Sequence, residues 1–222
     1  FDRLIREIEG ATVRKGLGLD QAEPDIRHSF KKFLRSQDYH FATKNFEQLL
    51  DEKSGERFKR NDGTVNWFHE FIPILTVMSL IRDNTISMKA VDRHGGLETA
   101  ICTHLRHDSV EDNPVYVKDK VAFRAEQLKM LDDIKAEDPS YPEEKGFAQL
   151  EQMLINIGLI TQRKHETENG IRIKEDVEDY TERMVTSPLA NPLVFMLKQV
   201  DGIHNFATMW APKFTPERRL KR

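Results

Sequence analysis

Helical periodicity limits the fold of this chain more than any other feature. From Asp25 onward, apolar residues recur at three- and four-residue spacing in one segment after another. Runs that alternate apolar and polar residues long enough for a sheet are missing. The pattern predicts an all-α protein. The expected helices are 25–37, with Pro24 as a start signal, then 41–51, 69–81, one that begins after Gly95-Gly96 and carries Leu97, Ile101 and Leu105, then 117–136, 142–163, 175–186 and 191–210. In the 117–136 helix, Val121, Leu128 and Leu131 are expected on one side. Residues 165–174 read as a polar hinge or loop, and there is no internal repeat or low-complexity tract.

Composition narrows the function classes. With 222 residues and 38% hydrophobic content, the chain can bury the core of one large domain, or of one domain with an extension. A net charge of -3 gives no general basic surface, so nucleic acid is not an expected partner, although a local basic pocket for a phosphorylated ligand is compatible with it. The single cysteine, Cys102, excludes an intramolecular disulfide and thiolate zinc clusters, and it suits a reducing cytosol. No apolar run approaches the roughly 20 residues that span a bilayer, and no signal-peptide pattern opens the chain. The expectation is a soluble cytoplasmic protein with no membrane partner.

Chemistry concentrates in His107-Asp108-Ser109-Val110-Glu111-Asp112, where four of six residues can ligate a cation or handle a proton within about one and a half helical turns. The second concentration is on the last helix. Positions 190, 194, 197, 201, 205 and 208 form one stripe that starts as Ala, Val, Leu and turns into Asp201, Asn205 and Thr208, flanked by Leu193, Met196, Val200 and Ile203. Asp201 is therefore expected on a buried or half-buried face, where a carboxylate needs a metal, a cation or several hydrogen bonds as compensation. His69 is a third polar intrusion, ahead of Phe71, Ile74, Leu75 and Met78. Two imidazoles and two carboxylates suit manganese, iron or zinc better than magnesium or calcium.

His69, His107-Asp108 and Asp201 resemble the H…HD…D signature of the HD phosphohydrolase superfamily. The run from His107 to Asp112 resembles the HDxxED of the RelA/SpoT-type alarmone hydrolases. Lys198-Gln199-Val200-Asp201-Gly202-Ile203-His204-Asn205-Phe206-Ala207-Thr208 is similar to that family's K-L-A-D-R-L-H-N-M-R-T, and Arg60-Asn61-Asp62-Gly63 to its R-K-S-G element. The likeness covers roughly residues 42–215. It implies an HD-domain helical bundle over 41–222, with a helical extension at 1–40 and no synthetase domain in the chain. It further implies that His69, His107, Asp108 and Asp201 hold one manganese ion, with iron or zinc as substitutes. Glu111 and Asp112 would position and deprotonate the attacking water, Arg60 would contact phosphate or base, and Asn205 and Thr208 would hold the nucleoside. The implied reaction removes the 3′-pyrophosphate of a guanosine alarmone, giving GDP or GTP.

The chain departs from the family pattern at several positions. The lysine after the arginine is Asn61, the proline after the first histidine is Glu70, the P-Y-I element reads Val65-Asn66-Trp67, and the arginine of D-R-L is Gly202. These changes fall on the purine pocket more than on the metal, which leaves an adenosine alarmone or another 3′-phosphorylated nucleotide open as substrate. Arg163, Lys164, Arg172 and Lys174 are candidate pyrophosphate contacts in a stretch that matches poorly. Two other readings stand beside the first: an HD phosphohydrolase acting on 5′- or cyclic nucleotides, and a non-catalytic alarmone-binding regulator. Residues 1–40, with Ile26, Phe30, Phe33 and Leu34 on one face, could also serve a partner or a homo-oligomer.

Plainer roles account for other residues. His204 reads as structural, while His28, His40, His94, His104 and His165 read as surface or core residues without partners at ligand spacing. Glu98 reads as a first-turn helix residue favoured by the helix dipole, and Cys102 as a small core filler.

Overall fold

The computed structural model describes residues 3, 4, 6, 19–52, 67–83, 85–112, 120–162, 164–166, 172–189 and 191–208. In chain order the elements are α1 (Leu19–Ser36), α2 (His40–Glu52), α3 (Trp67–Arg82), α4 (Met88–Asp92), α5 (Gly96–Asp112), α6 (Lys120–Glu137), α7 (Glu143–Ile160), β1 (Lys164–Glu166), β2 (Arg172–Lys174), α8 (Val177–Thr186) and α9 (Pro192–Thr208). The all-α class expected from the periodicity is the one observed, and the other expected helices agree to within three residues; α1, however, begins at Leu19, so Pro24, expected as its start signal, lies inside the helix. Periodicity does not reach α4, which is only five residues long. Nor does it reach β1 and β2, which pair antiparallel with His165 opposite Ile173 at the two ends of the segment read as a hinge or loop. Three-residue strands are too short to express a period of two. Among the described residues no helix is long and apolar enough to cross a membrane.

Contacts divide the chain into two units, residues 1–86 with 199–222, and residues 87–198. In the first unit, α1 buries Ile26, Phe30, Phe33 and Leu34, the face expected from their spacing. The Phe30 ring meets Phe46 of α2 edge-on at 4.9 Å and Phe71 of α3 at 4.8 Å. Such pairs add about 0.5–1.5 kcal/mol to the burial of the rings themselves. The helix inside the 1–40 segment thus supplies the centre of this core. It ends at Asp38, whose φ of 54° reverses the chain while the Tyr39 amide donates to the Leu34 carbonyl at 3.0 Å.

In the second unit α5 packs mainly on α7, and α7 also meets α6. The buried stripe of α6 is Phe123, Gln127, Met130, Leu131 and Ile134. Val121, expected on the apolar side of this helix, is instead 73% exposed, because it lies about 200° around the helix from Phe123. Close approach of α6 and α7 depends on Gly146, where an added Cβ would stand 3.0 Å from Leu131 Cδ2 and from Tyr141 Cε1. The entry to α5 is fixed by two glycines at positive φ, Gly95 at 83° and Gly96 at 75°. Buried Asn191 holds that turn from the start of α9. Its Nδ2 donates to the carbonyls of His94 at 3.1 Å and Gly96 at 3.2 Å, while its Oδ1 accepts from the Leu193 amide at 2.9 Å. Arg183 of α8 closes the far end of α7 by donating to the carbonyls of Gly158, Leu159 and Thr161.

Candidate functional site

The HDxxED run occupies the last two turns of α5, a helix that buries Ala100, Ile101 and Leu105 beside polar Glu98, Thr99, Thr103 and His104 and whose start is pinned by Asn191. His107 is buried and Asp108 half-buried. The Nδ1 atom of His107 stands 2.7 Å from the carbonyl oxygen of His104, one turn back on the same helix. A carbonyl can only accept, so Nδ1 carries a proton and Nε2 is the ring nitrogen turned to Asp108. That Nε2 lies 3.0 Å from Asp108 Oδ1. Residues one apart on a helix do not ordinarily face each other. Here the two side chains lean together and bring an imidazole nitrogen against a carboxylate oxygen. Such a contact places a positive charge, either a proton or a cation, between the imidazole and the carboxylate.

Glu111, one turn further on, is half-buried, and Lys198 of α9 reaches it with Nζ 3.8 Å from Oε1. The second unit therefore pairs His107 with Asp108 and Glu111 with Lys198. Asp112 ends α5, and its side chain lies outside the described residues, as does all of Arg60. Asp201, in the first unit, is 3% exposed, which agrees with the stripe that places it on an inner face. Ile203, expected beside that stripe, is 67% exposed. It is displaced from Asp201 by about 200°, which is the opposite side of the helix. His69 lies on α3 and Asn205 and Thr208 lie on α9, with side chains outside the described set. Of the basic candidates at 163–174, Lys174 is exposed, and the side chains of Arg163, Lys164 and Arg172 are not described.

Sequence reasoning passed over three buried groups near this run. His104 is fully buried, with its ring stacked on that of His107 at 4.9 Å between centroids and 23° between planes. Its signal was the three-residue spacing to His107. Arg106, also fully buried, pairs with Glu126 of α6 at 3.1 Å and lies 5.7 Å from the Phe123 ring centre. Glu98 is 3% exposed and accepts from Gln149 of α7 at 2.6 Å, with Lys145 at 3.4 Å. In the first unit Glu70 of α3 is likewise fully buried. Glu70, His104 and His107 are buried donors of the kinds that could hold a metal ion.

No family model, curated protein or solved structure matches the chain.

Proposed function

We propose that the protein is a metal-dependent hydrolase of the HD superfamily, of the RelA/SpoT type, which removes pyrophosphate from the 3′ position of a guanosine or adenosine alarmone. The observation that carries this reading is the contact between His107 Nε2 and Asp108 Oδ1 at 3.0 Å. A 3.0 Å spacing is compatible with two donors on one divalent ion, and mixed nitrogen and oxygen donors suit manganese, iron or zinc better than magnesium or calcium. The hydrogen bond from Nδ1 to the His104 carbonyl, which fixes tautomer and ring orientation, is of the kind that metal-binding histidines make.

In this reading Asp108 and His107 hold the ion together with His69 and Asp201. A divalent ion in such a site lowers the pKa of water and offsets phosphate charge. Glu111, half-buried and one turn beyond Asp108, accepts the proton of the attacking water with Asp112 beside it, and Lys198 holds the Glu111 carboxylate in place. Arg60, Asn205 and Thr208 bind the nucleotide. Reducing cytoplasm is the compartment that suits a single buried thiol, Cys102.

The test is incubation with guanosine and adenosine 3′-pyrophosphates, with and without manganese, and separation of the products. Pyrophosphate released only with the ion, and lost in Asp108→Ala, supports the reading. Release of single phosphate from 5′-nucleotides would move the protein to another HD activity. Nucleotide binding without turnover would make it a regulator.

A further inference from the structure

We infer that the chain forms a two-fold dimer through the outer face of the α6–α7 helix pair. Val121, Arg124 and Leu128 share one face of α6 at helical spacing, and Phe147, Glu151, Leu154, Ile155 and Gly158 share one face of α7. An ion pair between the Arg124 guanidinium and the Glu151 carboxylate joins the two stripes. Val121 is 73% exposed, Phe147 and Ile155 are exposed, and Leu128 and Leu154 are half-buried. Each of the five lies within about one turn of the pair, so they form one patch rather than scattered surface residues. Gly158 continues the stripe on α7. A Cβ there would meet nothing within 4 Å, which leaves room for a second helix to approach closely.

The fold of one chain does not call for apolar side chains here, because α6 and α7 already bury Phe123, Leu131, Ile134, Leu150, Met153 and Ile157. The face that the sequence offers for a homo-oligomer, on α1, is spent in the core of the first unit. Charge selects the partner for the face that is left. Arg124 and Glu151 are the only charges in the two stripes, opposite in sign and adjacent. A two-fold axis beside the pair places Arg124 of each copy against Glu151 of the other, so the face is its own electrostatic complement. A strongly acidic or basic partner would find no net charge to hold it. Within one chain the pair is half exposed and adds little to the fold. Enclosed between two copies, it fixes their register.

The experiment is sedimentation equilibrium of the full chain over a wide concentration range. It compares the wild type with Val121→Glu, Arg124→Glu and Glu151→Arg, each checked for helicity and thermal unfolding. All three positions are exposed, so the variants should fold as the wild type does. The expected result is a monomer-dimer equilibrium in the wild type, with a dissociation constant that rises by about tenfold or more in each variant. Arg124→Glu leaves two carboxylates on the face and Glu151→Arg two guanidinium groups, so each of these chains repels its own copy. Mixed together, the two should associate as a heterodimer more tightly than either does alone. A wild type that stays monomeric at its solubility limit overturns the inference. So does association of all three variants as firm as that of the wild type, which would place the contact on another face. A mixture that associates no more tightly than its components overturns it as well.

Discussion

Gln149 donates from Nε2 to Glu98 Oε2 at 2.6 Å, and its own Oε1 accepts from the Tyr141 hydroxyl at 3.0 Å, so one amide satisfies two buried groups across the α5–α7 interface. The relay fixes the height of α5 on α7 and hence where its last two turns present His107 and Asp108.

Gln149→Leu strips the buried carboxylate and the tyrosine hydroxyl of this partner at once. The expected destabilisation in urea is about 1–3 kcal/mol. The double variant Glu98→Leu with Gln149→Leu should recover part of it, since no buried charge then lacks the amide. Equal stability of Gln149→Leu and wild type would contradict the relay.

Stability should decline on the alkaline side. Burial pushes the Cys102 thiol well above its ordinary 9.0, with the nearby Glu98 charge adding to it, and burial raises the Tyr141 hydroxyl above its ordinary 10.0 in the same way. Above those ordinary values the unfolded chain loses protons that the folded chain keeps, so each step up in pH favours unfolding. The stabilisation is complete below pH 9 and is lost progressively above it. Urea midpoints at pH 7, 9 and 10.5 test this, with a flat profile as the contrary result. Cys102 should also resist thiol reagents in the folded protein and react on unfolding.

Arg106 is a wholly buried guanidinium whose carboxylate partner, Glu126, is reached from α6. Glu126→Leu leaves that charge buried without its ion pair and should cost about 3 kcal/mol, most of it recovered by Arg106→Leu in the same chain. Thermal melts of the three variants form a double-mutant cycle. Additive effects would mean that the pair carries no coupling.

These groups mark how far the sequence alone could be read. Period and spacing carried the helices, the buried face of α1 and the inner position of Asp201, because a 3.6-residue repeat is a local property. They did not carry the side of α6 that is buried. Val121 was assigned there by spacing to Leu128, whereas the helix turns Phe123 and Ile134 inward. His104, Arg106 and Glu98 escaped for a related reason. A polar residue on an inner face reads as a surface residue until its partner is known, and their partners lie on other helices or on the next turn.

Glu111 and Lys198 separate positioning from proton transfer. Glu111→Gln should lower kcat by about 10²- to 10⁴-fold with metal content unchanged. Lys198→Ala, which removes only the group 3.8 Å from that carboxylate, should cost less and should shift the pH profile of kcat. A Lys198 variant as inactive as the Glu111 variant would place the lysine on the substrate rather than on Glu111.

The most direct measurement is the number of manganese ions retained per chain after loading and dialysis, in the wild type, Asp108→Ala and Glu111→Gln. The account predicts one ion in the wild type and in Glu111→Gln, and none in Asp108→Ala. A wild type that retains no ion at any loading, or an Asp108→Ala chain that retains one as firmly, would contradict it.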